Sequence, residues 1–340
     1  MREYDLMEEL NHINPSYGFN ELLANLTKQE LTEIRQLWEF EGISQLNKAE
    51  LVEALITRIT DNIDSWLQYL SSEQIEFLKE IIFRCDNYSG AYVELNEQTF
   101  VIGDYFQERG VVFFGSHEGD ALFVIPKELR EKIKSLLDDK DIKKQIKLND
   151  KYIKYAVAGA IFYGILTPDL LYETLERYMD VKWEVDPLDV VSEYGQYSLA
   201  AYSTGPFFIL SAVEEPREIF MERESRSDLD YYVPSKKEME NAYKNGHESW
   251  NLAQRRFKKK LIKDYDLPAD EAEMLIFSFS LLIKNEVSPA EIIRILTEDL
   301  GIDVFEDKND LIQLINDFHN STRLWVLKGH TPDELFHQNI

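Results

Sequence analysis

One helix-start signal recurs along this chain, and it constrains the fold more than any other feature. Thr27 is followed three residues on by Glu30, Ser71 by Gln74, Ser235 by Glu238, Ser288 by Glu291, and Thr331 by Glu334. In each, a hydroxyl accepts from the free amides of a first turn while the acid or amide at the third position reaches back. Pro289 and Pro332 stand at the first helical position of two of them, where a missing N–H costs nothing. Thr167-Pro168-Asp169 is a related start. A chain with so many starts is mainly α.

The apolar pattern between the starts divides the chain into four segments. Residues 1–62 hold an N-terminal helix and a small module. In it Leu31, Ile34 and Leu37 share one helical face, "FEGISQLN" interrupts at Gly42, and Leu51, Leu55 and Ile59 make a second stripe. Residues 63–150 carry the helices "SSEQIEFLKEIIFRCD" and "NEQTFVIGDYFQERG". The β-rich runs "VVFFG" and "ALFVIP" follow, joined by "SHEGD", then "PKELREKIKSLLDD". That is a pair of helices and a hairpin, the outline of a winged helix. The charged stretch from Asp138 to Lys151 reads as a linker. Residues 151–233 repeat the order, with helices on either side of Gly164 and a hairpin about Ser203-Thr204-Gly205-Pro206. "ESRSDLDYYVP" then connects to residues 234–340, a helical bundle with helices expected over 235–264, 268–284, 289–300 and 308–320. The class is therefore α+β with a large excess of α: a small helical module, one or two winged-helix-like units with hairpins, and a C-terminal bundle.

Composition bounds the function classes. Of 340 residues 44% are hydrophobic, enough to bury real cores. The net charge is -26, and a surface so acidic repels phosphate backbones and anionic lipid, so nucleic acid is bound only through a local basic patch. Cys85 is the one cysteine, which rules out an intrachain disulfide and a Cys-based zinc site within this chain; it reads as a small buried apolar residue. The start "MREYDLMEEL" lacks the apolar core of a signal peptide. The run "MLIFSFSLLI", Met274 to Ile283, is about half the length of a membrane span and reads as a buried helix. The expectation is a cytoplasmic protein that does not enter membranes.

Two stretches resemble known families. "LTKQELTEIRQLWEFEGISQLNKAELVEALI" resembles SAP domains and the related Rho N-terminal module, through Leu26, Glu30-Leu31, Gly42, Ser44, Lys48 and Glu50-Leu51-Val52. The resemblance covers about a tenth of the chain and implies a helix-extended-helix fold with nucleic-acid contact at Ser44 and Lys48. Residues 27–60 set Lys28, Arg35, Lys48 and Arg58 against Glu30, Glu33, Glu39, Glu41, Glu50 and Glu53, four minus six or -2, the reverse of a phosphate-binding balance. The tail "LINDFHNSTRLWVLKGHTPDELF", with "YYVPSKKEME", resembles uncharacterised bacterial proteins that carry a SEC-C motif. The resemblance implies a Cys-rich zinc knuckle after the Gly-His-Thr-Pro turn, and residues 337–340 hold no cysteine. Two readings stay open: a junction to such a knuckle, or a helix packing Leu335 and Phe336 onto the bundle.

No Walker A loop, dinucleotide fingerprint, HExxH or nucleophile elbow occurs. Asp104, Glu118 and Asp120 lie around the first hairpin with His117, where a hydrated turn explains them as well as a metal hydrolase does. His319, His330 and His337 are candidate zinc ligands that lack a fourth partner. The run "RRFKKKLIK", residues 255–263, holds six cations and no acid. Arg255, Arg256, Lys259, Lys260 and Lys263 are the candidate contacts to an acidic partner, together with Ser44 and Lys48. The reading that follows is a non-enzymatic binding or regulatory protein that needs no cofactor and docks a macromolecule, a protein in preference to nucleic acid. The alternatives are nucleic-acid binding through Lys48 and residues 255–263, and a metal-dependent hydrolase.

Overall fold

A computed structural model describes residues 10–87, 96–180, 182–299, 301 and 310–338; the N-terminal nonapeptide read above lies outside them. With 64% of the described residues helical and two small open antiparallel sheets among them, the mainly α class holds. The chain divides into two compact units, residues 1–152 with 183–199, and residues 153–182 with 200–340.

The first unit opens with α1 (Phe19–Asn25), α2 (Lys28–Leu37) and α3 (Lys48–Leu67). Thr27 caps α2 as its spacing predicts: its hydroxyl accepts from the Glu30 amide at 3.2 Å and the Glu30 carboxylate accepts from the Thr27 amide at 2.6 Å. Leu31 and Ile34 are buried, whereas Leu37 is 44% exposed and so leaves the expected stripe. The helix after the link, α3, spans 20 residues, because the apolar period continues past the Leu51, Leu55 and Ile59 stripe through Ile63, Trp66 and Leu67. Next come α4 (Ser72–Asn87), α5 (Glu97–Glu108), the hairpin β1 (Phe113–His117) and β2 (Asp120–Val124), and α6 (Lys127–Asp138). The strands pair antiparallel with Phe113 opposite Val124 and His117 opposite Asp120. Glu118 and Gly119 between them both take positive φ, 52° and 92°, the geometry that suits a two-residue hairpin turn to twisted strands. Aromatic rings tie these elements together: Trp38 against Trp66 at 5.3 Å, Trp66 against Phe106 at 5.8 Å, and Phe77 against Phe123 at 5.4 Å.

The expected linker from Asp138 to Lys151 is instead most of the first half of α7 (Lys140–Tyr163), a helix of 24 residues. Ile142, Ile146, Asn149 and Ile153 recur at helical spacing beneath the charges, and Asn149 is fully buried. Its amide donates to the Gln68 and Leu70 carbonyls at 2.7 and 2.8 Å, which satisfies the open C-terminal turn of α3.

A helix not foreseen, α9 (Pro187–Gly195), completes this unit after β3 (Ile165–Leu166) and α8 (Pro168–Tyr178) of the other. Asp186 caps α9 by accepting from the Leu188 amide at 2.9 Å. Its Glu193 meets the buried Arg109 at 3.1 Å, and Tyr197 beyond it shares a 2.7 Å hydrogen bond with Ser71.

In the second unit, β4 (Ala201–Thr204) and β5 (Phe207–Leu210) form the expected hairpin about Gly205-Pro206. β3 adds a third strand on β5, in the order β3-β5-β4. Gly164, at φ +74°, precedes β3, and a Cβ there would stand 2.8 Å from the ring of the fully buried Trp325. α10 (Pro216–Ser225), the predicted irregular connector and the bundle follow. The bundle holds α11 (Lys236–Asn245), α12 (Leu252–Asp264), α13 (Ala269–Lys284) and α14 (Pro289–Arg294). A π-helical turn (Ile295–Asp299), α15 (Asp310–Ser321) and α16 (Pro332–Gln338) complete it. Phe257, Phe279 and Phe318 meet at its centre with Leu261 and Ile276. The single helix expected over 235–264 is two, broken where Gly246 takes φ +74° and Asn251 restarts the chain with a capping box to Gln254. Among the described residues no helix is long and apolar enough to cross a membrane; the run from Met274 lies within α13.

Candidate functional site

The basic run forms α12, and its cations have different fates. Phe257 and Leu261 turn into the core with Gln254. Lys258 pairs with Glu273 at 2.8 Å, and Lys260 with Asp264 at 2.8 Å. The Asp264 carboxyl lies below its ordinary range, chiefly through that Lys260 hydrogen bond and then through the fields of Lys260 and Lys263. Arg255 donates through Nε to the Asn251 carbonyl at 3.1 Å. Arg256, Lys259 and Lys263 are exposed and make no ion pair among the described residues. Positions 252, 256, 259 and 263 fall within one narrow helical face, and Leu252 at its head is 59% exposed.

An aromatic ledge lies at Lys258, roughly a third of a turn around α12 from this face. The ammonium of Lys258 sits over the Trp250 ring at 5.0 Å, Trp250 stacks on His247 at 5.3 Å, and His247 meets Phe277 of α13 at 5.8 Å. Phe277 is 37% and Met274 69% exposed. None of this ledge is foreseen from the sequence, because it hangs on the helix break at Gly246. The available signal was Gly246 followed by Asn251 and Gln254, a helix end and a helix start five residues apart.

The other expected residues fall elsewhere. Ser44 is exposed. Lys48, also exposed, stands at the first position of α3 and donates to the Ala24 carbonyl at 2.8 Å, closing the end of α1. Beside α2 lies a groove of about 540 Å³ lined by Glu30, Glu33 and Glu108, with Leu26, Ile34 and Leu37. The Glu108 carboxyl is pushed up, first by partial burial and then by the fields of Asp104 and Glu33, against the pull of Arg109. The His117 ring lies tilted against that of His12, centroids 5.5 Å apart. Cys85 is buried, and burial first of all raises its thiol.

The three C-terminal histidines take separate partners. His319 approaches the Asn320 side chain at 3.4 Å, and His337 packs on Phe336. His330 meets the Asp230 carbonyl at 3.1 Å and Glu334 at 3.6 Å. Among the described residues no group of three or more His, Cys, Asp or Glu is placed to hold a metal ion. The tail turn forms as its residues predict: the Glu334 amide donates to the Thr331 hydroxyl at 3.1 Å, and the Thr331 amide to the Glu334 carboxylate at 3.0 Å. Leu335 is half-buried but Phe336 is 67% exposed, so the turn does not pack Phe336 onto the bundle. Instead it walls a cleft of about 310 Å³ with Glu238, Glu248 and Arg323.

Compared with protein-family models, curated proteins and solved structures, the chain matches none of them.

Proposed function

We propose that this is a non-catalytic docking protein whose α12–α13 surface receives an acidic segment of another polypeptide. One observation carries the reading. In a chain of net charge -26, Arg256, Lys259 and Lys263 stay exposed and unpaired among the described residues, in line with exposed Leu252. Cations that had only to neutralise their own chain would sit among its 63 acids, as Lys258 and Lys260 do. The flanking Trp250, Phe277 and Met274 are the side-chain types enriched at protein interfaces, where aromatic anchors supply affinity and a cationic rim supplies orientation. A polyanion such as DNA uses the cations and leaves the apolar ledge unburied, so a polypeptide fits the whole surface better.

The SAP-like and winged-helix-like identities of the first unit belong to the same proposal. What supports them is the helix-link-helix order of α2 and α3 and the hairpin between α5 and α6. The acid-lined groove beside α2 favours a protein-facing role for that module over a phosphate-facing one.

The test uses the triple variant Arg256→Glu/Lys259→Glu/Lys263→Glu, which alters no residue of the core. Its urea midpoint is expected to equal that of the wild type. An affinity pull-down from the native host is expected to retain a protein whose cross-links map to α12 and α13 and which the variant loses. Fluorescence anisotropy with labelled DNA and RNA at 50 mM salt is expected to show no binding. Low-salt binding that falls steeply with added salt and disappears in the variant would replace the protein partner with nucleic acid.

A further inference from the structure

The cleft beside α12 has the size and the chemistry of a small-molecule site. Its volume, about 310 Å³, falls at the lower end of the range for such pockets. Its lining converges from α11, the Gly246–Asn251 break, the end of α15 and the tail turn.

At its wall stands an ion pair that is only half used. Arg323 stacks on the Tyr232 ring at 3.4 Å, and its NH1 donates to the Gly329 carbonyl at 3.0 Å and to Glu334 Oε2 at 2.9 Å. Its Nε and NH2 make no hydrogen bond among the described residues, and neither is a sealed atom. Glu334 spends Oε2 on Arg323 and on the Thr331 amide, and Oε1 is open. Glu248 gives Oε1 to Lys284 at 2.5 Å and likewise keeps its second oxygen open. A donor edge and an acceptor oxygen therefore lie side by side, in the order plus then minus. The species that complements such a pair is one carrying minus and plus at the same short separation. Its carboxylate takes the free guanidinium edge and its ammonium takes Glu334. Phe162 and Ser249 line the same space and face whatever side chain the ligand bears.

We infer that this cleft binds a small zwitterion of the α-amino-acid class. Both charges of such a ligand find a partner, whereas a monovalent anion or cation leaves one member of the pair unanswered. The volume admits one amino acid and excludes a folded domain. This inference does not depend on the docking face, since Arg256, Lys259 and Lys263 do not line the cleft.

The experiment is thermal unfolding of the full chain with each of the twenty amino acids at 10 mM, beside acetate and ethylammonium chloride as half-ligands. At least one amino acid is expected to raise Tm by about 2 °C or more through mass action, and the half-ligands by less than a quarter of that. Two variants localise the effect. Arg323→Met removes the donor edge together with the bonds by which Arg323 holds the tail turn, so its basal Tm is expected to fall and the ligand shift to disappear. Ser249→Trp fills the cleft from an exposed position with no hydrogen bond among the described residues. It is expected to keep the basal Tm and lose the ligand shift. No shift with any amino acid, an equal shift with acetate, or a shift that survives Ser249→Trp would overturn the inference.

Discussion

The groove of the first unit and the cleft of the second are both lined by three glutamates, and they differ in whether every one of them holds a donor. In the groove, Glu30 accepts from the Thr27 amide and Glu33 from the Gln29 side chain, while Glu108 accepts no hydrogen bond among the described residues and its carboxyl is driven upward. In the cleft, Glu238, Glu248 and Glu334 each hold a donor. Burial acts to raise the Glu238 carboxyl, yet hydrogen bonds from Ser235 and Tyr232 and the field of Arg323 leave it below its ordinary value of 4.5. Counting acids therefore says little about a site. Whether donors are fixed within hydrogen-bond reach decides if a carboxylate stabilises its surroundings or strains them.

The comparison breaks first, and hardest, at Lys284. This side chain is 7% exposed, holds Glu248 and also approaches the Ile161 carbonyl at 3.3 Å. Lys284→Met strands a carboxylate that is itself only 20% exposed and is expected to lower unfolding free energy in urea by about 3 kcal/mol. The double variant Lys284→Met/Glu248→Met is expected to recover most of that loss, because the desolvation cost of both charges goes with them. If the single variant is as stable as the wild type, Glu248 of the cleft is no better compensated than Glu108 of the groove.

Lys284 also marks the limit of what the sequence shows. Capping boxes at Thr27, Ser235 and Thr331 and the apolar stripes of α2, α3 and α15 are local, and local chemistry reads directly from spacing. The two hairpins announced themselves through β-rich runs about Glu118-Gly119 and Gly205-Pro206. Buried cations do not announce themselves. Arg223, at 0% exposure, donates to the Tyr163 and Ile165 carbonyls, and Lys328 to those of Arg226 and Leu229. Their partners are main-chain oxygens brought up by tertiary folding, and no residue code predicts those. The helical linker at Asp138–Lys151 escaped for a related reason: its buried face uses Gln145 and Asn149, polar residues that mask the apolar period. The basic run of α12 was legible, but the aromatic ledge and the cleft escaped because they arise at a break, Gly246 to Asn251, that the periodicity of the flanking helices runs across.

A smaller effect sharpens the contrast at Glu238. Its carboxylate accepts from the Ser235 amide at 2.7 Å and from the Tyr232 hydroxyl at 3.1 Å. Glu238→Gln keeps the shape and weakens both bonds, for an expected loss of about 1 kcal/mol at pH 7. A depressed folded-state pKa contributes stability that is present above the unfolded value and disappears as pH falls through the folded one. The difference between wild type and variant is therefore expected to be constant from pH 7 to about 5 and to shrink below 4.5. A difference that grows on acidification would show that the hydrogen bonds are not to the charged form.

Glu108 is expected to show the opposite sign. Its folded-state pKa lies above 4.5, so the native state holds its proton more tightly than the unfolded chain does. Between those two pKa values stability falls as pH rises, and the full penalty is present above the folded one. Glu108→Gln removes that penalty. The side chain is exposed enough for solvent to screen most of the repulsion from Asp104 and Glu33, so the gain at pH 7 is expected to be only about 0.3 kcal/mol. It is expected to shrink as pH falls through the folded-state pKa and to vanish only below 4.5, where the carboxyl is protonated in the folded and the unfolded chain alike. Added salt is expected to erase it as well, because screening weakens repulsion between exposed like charges. The measurement is a paired set of urea midpoints for Glu108→Gln and Glu238→Gln at pH 7 and pH 5, with and without 0.5 M sodium chloride. If both substitutions destabilise at pH 7, Glu108 is held by donors as Glu238 is, and the groove and the cleft are the same kind of site.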